Sequence, residues 1–425
     1  MTTNGKSWKS WQKISFRFFF LFLILSSVLC WDLTVYFTVV AVTQKERDLT
    51  SEYKPLAGTF HWLDTHIFHT GYDPKKHASF PQDNHFGEVF YLTLFLIAVL
   101  ATVGWTVLDK RRPNYNRLFY WFNVYMRYTL AITILGYGLI KLIPVQMSYP
   151  HIVDMTIPYG EQGLFNVLWN FMGVSPGYMI LTGASEILAA LLLLFRRTVV
   201  LGCIFMIFIL VNVTAMNWFY NVPVKMFSAQ LLFYALFLVA PFAKQLFQFF
   251  FKGATTVITV KEYTFQTKWK RYLLTTLMIV VPLAIIVLLT IGDSKRYIHQ
   301  AADARKEKIY DVTAFVAKDT LPPLTTDTLR WSRLALFVYG NYAVIYNMKN
   351  KLDWYQCDVD SIKKTFTLHD NPDKKKWKLF HYIYPSKNQL QLTGKWKGKD
   401  ISVLLKSSST DSIPLNHEKI KLITD

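Results

Sequence analysis

The sequence is poor in cysteine, in acidic residues and in the short patterns that mark redox, metal or nucleotide sites. Its 425 residues contain 3 cysteines, Cys30, Cys203 and Cys357, and no C-x-x-C, so the chain carries no dithiol centre of its own. All 10 histidines fall outside the apolar runs, and a membrane b-type haem would need axial histidines on those runs. There is no H-E-x-x-H and no glycine-rich nucleotide loop. No cofactor is therefore evident. Charged residues make up only 18% of the chain, with 28 acidic residues against 47 lysines and arginines. No basic segment is interleaved with aromatics in the manner of a nucleic-acid surface, so the net charge of +19 needs another explanation.

Apolar sequence is abundant instead, at 52% of residues, and it is unevenly distributed. Most of it lies before Gly292 in uninterrupted blocks, while 293–425 reads as an ordinary soluble domain. Seven blocks reach the roughly 20 residues that a helix needs to cross a bilayer. They lie near Phe16–Phe37, Val89–Leu108, Leu118–Leu142, Tyr178–Phe195, Val199–Met216, Met226–Phe242 and Tyr272–Ile291. The first follows Lys6, Lys9 and Lys13 as a signal peptide would. It is too long and aromatic for that, lacks a small-x-small cleavage site, and reads as a retained span.

Basic residues explain the charge. The N-terminus has Lys6, Lys9, Lys13 and Arg17, and the second-to-third connection has Lys110, Arg111, Arg112 and Arg117. Arg196 and Arg197 follow the fourth span, and Lys244, Lys252, Lys261, Lys268, Lys270 and Arg271 separate the sixth from the seventh. The opposite short connections, 143–177 and 217–224, have none. This asymmetry places the N-terminus in the cytoplasm, and seven crossings then place 293–425 outside. The organisation expected is two N-terminal spans with a long outer loop (1–117), a four-helix bundle (118–243), a connection with the seventh span (244–292) and an outer β domain (293–425).

In the outer loop, Asp64, His66 and His69 are a conceivable zinc set, but their spacing matches no standard ligand pattern, and ordinary polar loop chemistry is expected. In 163–178, Leu164, Phe165, Leu168, Phe171 and Met172 recur at helical spacing, which predicts an amphipathic surface helix. It reads as a membrane anchor, with a lid over the bundle as the alternative. The outer domain shows short alternating runs such as "DVTAFV", "YAVIYNM", "KKTFTLH" and "DISVLLK", punctuated by Gly340-Asn341, Asp370-Asn371, Pro385-Ser386 and Gly398. They predict an antiparallel meander curled into a small barrel or sandwich.

Two charges mark the bundle. Arg127 and Glu186 each lie nine residues from the cytoplasmic end of their expected spans, which puts them at one depth and predicts a pair, whether a structural tie or part of a site. Lys141 lies about 21 Å further along the helix and within about 40° of the face of Arg127. Asn212, Asn217 and Lys225 gather at the same outer end, so these six residues are the candidate ligand-binding interior. For Lys141 and Lys225 the plain alternative is snorkelling to headgroups.

At these positions the sequence resembles the DoxX-like membrane family. The features are an arginine opening the first bundle helix (Arg127), a glycine-rich turn leading to a lysine (Gly138, Lys141), a G-x-x-E element (Gly183, Glu186) and an apolar run closed by basic residues, "LLLLFRRT". The resemblance covers about 125–240. It implies a four-helix membrane bundle in a bacterial inner membrane, with the outer domain in the periplasm. Some relatives belong to quinone-linked oxidoreductase assemblies, and similar folds serve as cargo receptors or assembly chaperones. With no cysteine pair, intramembrane histidine or nucleotide loop, the chain reads as an adaptor and not a stand-alone enzyme, one that meets membrane lipids and recruits a protein partner through 293–425. The alternatives are a membrane subunit of a quinone-linked oxidoreductase or a carrier of small solutes or lipids. No internal repeat supports the carrier.

Overall fold

The computed structural model describes residues 7–44, 49–77, 82–253, 267–304, 307–317, 327–337, 341–369 and 377–408. Lys6, Lys261 and the turn residues Gly340, Asp370 and Asn371 lie outside these. The chain divides into two units, one of Met1–Met147 with Gly163–Arg296 and one of Ser148–Gln162 with Tyr297–Asp425.

The first unit is helical: α1 (Ser10–Thr43), α2 (Leu49–Leu63), α3 (His85–Leu108), α4 (Asn116–Leu142), α6 (Leu164–Gly173), α7 (Pro176–Leu194), α8 (Val199–Phe219), α9 (Lys225–Val239), α10 (Ala243–Lys252) and most of α11 (Lys268–Ala304), with the short α5 (Ile152–Thr156) belonging to the second unit. Among the described residues, six helices are long and apolar enough to cross a membrane: α1, α3, α7, α8, the α9–α10 segment and α11. The remaining expected span, Leu118–Leu142, falls in α4. α4 has the length, at 27 residues, but Asn116, Arg117, Asn123, Arg127 and Lys141 dilute its apolarity. Its burial supplies the reason: from Thr129 to Lys141 every residue but Tyr137 is buried, so these side chains meet protein. α4 packs on α1, α7 and α9.

Polar side chains tie the helices together. Arg17 is buried and donates to the Tyr115 hydroxyl at 2.7 and 3.0 Å, to Thr106 Oγ1 at 3.0 Å and to the Asp109 carbonyl at 2.8 Å. Arg17, inside α1, is thus a staple joining that helix to the ends of α3 and α4. Asp83 and Asn84 cap two helices: Asp83 accepts from Lys225 N (2.6 Å) and Met226 N (3.0 Å) at the start of α9, and Asn84 accepts from Gly87 N (2.8 Å) in α3.

The expected polar loop 43–86 contains α2 and a single π-helical turn, Asp64–Phe68. Asp64 accepts from the amides of Thr70, Gly71 and Tyr72 and from the Thr70 hydroxyl. Burial pushes its carboxyl up, but those four hydrogen bonds together leave it below the ordinary carboxylate value. Both Asp64 oxygens are committed to folding the chain, and His66 stacks on Trp62 at 4.7 Å.

The second unit is a closed barrel of eight antiparallel strands in meander order: β1 (Lys308–Val316), β2 (Trp331–Phe337), β3 (Tyr342–Asn347), β4 (Leu352–Asp360), β5 (Thr365–His369), β6 (Lys378–Ser386), β7 (Gln389–Trp396) and β8 (Lys399–Ser408), with β8 returning to pair with β1. Barrel therefore wins over sandwich. The tight β7–β8 hairpin places Lys397 and Gly398 at φ +47° and +80°, the two left-handed positions of a type I′ turn. Alternate side chains fill the interior, where Trp331 meets Trp396 edge-on at 5.1 Å and Phe380 at 5.7 Å. A strap from the 143–177 connection, residues 148–162, packs Ile152 and Val153 on Ile309, Ala335, Phe337, Val344 and Tyr346. His151 hydrogen-bonds Glu307, whose other oxygen accepts from Ile152 N, and Thr156 meets the Tyr346 hydroxyl at 2.6 Å.

Candidate functional site

The site follows from one close helix contact. Gly138 of α4 and Gly183 of α7 abut so tightly that a Cβ on Gly183 would lie 2.6 Å from the Gly138 carbonyl oxygen and from Leu142 N. A Cβ on Gly138 would meet Ile187 at 2.7 Å. Small residues at a helix crossing let backbones approach in this way. One turn beyond the crossing on each helix, Lys141 and Glu186 face each other, 7% and 3% exposed, and Lys141 Nζ donates to Glu186 Oε1. Glu186 Oε2 has no hydrogen-bond partner.

This corrects the expected Arg127–Glu186 pair. Equal counting from the helix ends assumes level ends, but the helices are staggered. With Gly138 opposite Gly183, Arg127 lies eleven residues away, about 16 Å, near the α7 terminus. Its guanidinium sits 5.3 Å from the centre of the Tyr128 ring, and its Nε has no partner.

The predicted polar stripe is thus divided between two cavities. The one at the end expected to face outward, of about 360 Å³, is lined by Ile134, Lys141, Glu186, Asn212 and Asn217, along with Tyr137, Thr182 and Ser185. The remaining wall is largely apolar, with Leu168, Trp169 and Met172 coming from α6. That helix, expected chiefly as an anchor, buries Leu168 and Met172 and packs on α7, the position expected of a lid. Lys225 is not among the lining residues. It pairs with Asp83 at 3.7 Å, drawn there by the same carboxylate that caps α9. Arg127 lines the second cavity, of about 430 Å³, together with Arg196.

Sequence reasoning also missed a buried polar network. Gln230 donates to the Tyr234 hydroxyl (2.8 Å) and the Ser26 carbonyl (3.1 Å), accepts from Tyr91 (2.8 Å), and Ser26 Oγ lies 2.7 Å from the Tyr234 hydroxyl. The signal was Gln230 and Tyr234 at i, i+4 within an apolar run. Each of these hydrogen bonds has a partner inside the network, which makes it a tie between α1, α3 and α9.

Six apolar helices and a closed barrel define a multi-pass membrane protein with a β domain. Over 113 residues the chain is 34% identical to the "Uncharacterized protein YwoB" of Bacillus subtilis (strain 168), a stretch making up 27% of this chain and 71% of that protein. The chain belongs to the same family as YwoB. No family model and no solved structure matches it.

Proposed function

We propose that the protein is a DoxX-like membrane protein of a bacterial inner membrane, crossing it seven times with α4 as the third span, and that its outer cavity holds a small amphiphile. Support for the topology comes from the basic residues gathered on one side, which keep the N-terminus cytoplasmic and, with an odd number of crossings, put the barrel in the periplasm. The 27 residues of α4 reach about 40 Å, and its polar groups are covered by protein, as hydrocarbon requires. A membrane-impermeant thiol reagent is expected to label a cysteine placed at Lys399 in intact cells; protection there together with labelling near Arg112 sinks the orientation.

One observation carries the ligand reading: Glu186 Oε2 is buried and unpartnered beside Lys141, on the wall of a mostly apolar cavity. A ring-sized head with carbonyl or hydroxyl oxygens, such as a quinone, suits both groups. Its carbonyl accepts from Lys141 Nζ, its hydroxyl donates to Glu186 Oε2, and its apolar part lies among Leu168, Trp169 and Phe227. Native mass spectrometry and solvent extraction of the full chain in mild detergent are expected to show one bound lipophilic molecule, absent from the Lys141→Met, Glu186→Leu double variant. A folded wild type with an empty cavity overturns this reading.

A second reading, an adaptor that recruits a protein partner through 293–425, is favoured by the barrel interior. A barrel packed with Trp331, Phe380 and Trp396 acts through its outer wall, where Trp354 is half exposed. The adaptor reading expects a stoichiometric protein to co-purify with the full chain and to be lost on Trp354→Ala.

A further inference from the structure

The hydroxyls of Thr182, Ser185 and Ser228 line the outer cavity, and each has its hydrogen engaged elsewhere. Thr182 Oγ1 donates to the Met179 carbonyl at 2.8 Å, Ser185 Oγ to the Thr182 carbonyl at 2.7 Å and Ser228 Oγ to the Lys225 carbonyl at 2.9 Å. A hydroxyl has one hydrogen and two lone pairs, so these side chains offer the cavity acceptors only. Glu186 Oε2, on a residue 3% exposed, adds another acceptor, as does Gln146 Oε1; both atoms are buried without a hydrogen-bond partner. Thr182, Ser185 and Glu186 occupy positions i, i+3 and i+4 of α7 and so share one face of it. Donors come from other helices, among them Lys141 from α4 and the Asn212 and Asn217 amides from α8.

We propose that the outer cavity selects an amphiphile whose head carries at least two hydroxyl groups over one whose oxygens are all carbonyls or ethers. This selectivity rests on the amphiphile reading and narrows its head. A carbonyl or ether oxygen can only accept, so beside the α7 face it meets lone pairs and leaves Glu186 Oε2 unpaired. A hydroxyl both donates and accepts. One hydroxyl of the head donates to Glu186 Oε2 and a second to Ser185 Oγ or Thr182 Oγ1, while their own oxygens accept from Lys141 Nζ or from the α8 amides. Bonds to an ionised group are the stronger ones, and a buried acceptor left unpaired carries its full desolvation cost. A site built to hydrogen-bond a ligand hydroxyl therefore rejects the analogue that lacks it. The apolar wall, with Leu168, Trp169 and Phe227, takes the rest of the molecule in either case and does not discriminate.

The test uses the full chain in nanodiscs of phosphatidylcholine, whose head has no hydroxyl to compete. Two probes are titrated and counted by native mass spectrometry. One is 5-octylresorcinol, a ring with two hydroxyls and an apolar chain; the other is its dimethyl ether, which keeps both oxygens and loses both donors. The resorcinol is expected to bind at least about tenfold more tightly. Ser185→Ala with Thr182→Val removes acceptors and leaves the Lys141–Glu186 pair in place. It should cut that preference about threefold or more while the ether binds as before. Binding of the ether as tightly as the resorcinol overturns the selectivity and leaves the amphiphile reading standing. So does a preference unchanged in the folded Ser185→Ala, Thr182→Val variant. Binding of neither probe also overturns it, and if solvent extraction then finds the cavity empty, the amphiphile reading falls as well.

Discussion

Glu186 is held by Lys141, one helical turn past the contact of Gly138 with Gly183, and Arg127 is left about eleven residues away in a cavity of its own. Register between α4 and α7 therefore determines which charge meets which. Any change that moves this register separates the pair.

Gly183→Ala forces a methyl into the Gly138 carbonyl and the Leu142 amide, each 2.6 Å away. Both obstacles are backbone, so neither can rotate aside. We expect a loss of about 1–3 kcal/mol, typical of overpacking. It is read as a lower melting temperature in detergent, together with loss of any ligand in the outer cavity.

Lys141→Met removes one member of a buried ion pair and leaves a carboxylate enclosed. The expected cost is about 3–5 kcal/mol, and the Lys141→Met, Glu186→Leu double variant should recover most of it. Comparison of unfolding in the two single variants and the double variant measures the coupling. Equal destabilisation in the double and single variants contradicts a buried pair.

His151 makes the strap sensitive to pH. Its hydrogen bond to Glu307 raises its pKa above the ordinary 6.5, against the opposing effect of burial. Because the folded-state value is the higher one, the stabilisation is complete below about pH 6.5 and fades as pH rises through the folded value. Thermal melts of the barrel signal from pH 6 upward should therefore fall in the wild type. In His151→Gln that part of the slope should vanish.

Trp331 sits at the centre of the barrel at 2% exposure, in edge contact with Trp396. Trp331→Ala is expected to cost about 3–5 kcal/mol. Tryptophan near-UV circular dichroism should report the loss of the packed interior while the helical signal stays unchanged.

Much of this architecture was legible in the sequence, because hydropathy and charge act locally. Each apolar block became a helix, and the alternating runs became strands. β2 escaped notice because Trp331–Phe337 does not alternate in burial and carries Arg333, whose charge is met by Asp311 of β1 at 2.8 Å. α4 read as an ordinary span from its length, although its polar residues are tolerated only through burial by neighbours. The polar stripe was visible from helical periodicity, and Lys141, Glu186, Asn212 and Asn217 do converge on one cavity. Which partner each charge takes was not legible, since helix stagger arises from the glycine contact between two helices. Lys225 was misplaced for a similar reason: Asp83, 142 residues earlier in the chain, reaches its helix start.

The strap has a consequence for biosynthesis. Residues 148–162 leave the ribosome long before the strands they cover, since Glu307 follows His151 by 156 residues and the barrel closes only when β8 pairs with β1. Through that interval Ile152 and Val153 have no barrel surface to cover. A fragment cut at residue 293 repeats the situation permanently on both sides of the cut. The bundle keeps an orphaned apolar strap, and the barrel loses the partner of Glu307. Soluble production of the barrel would therefore call for a chimera in which 148–162 is fused back on by a linker.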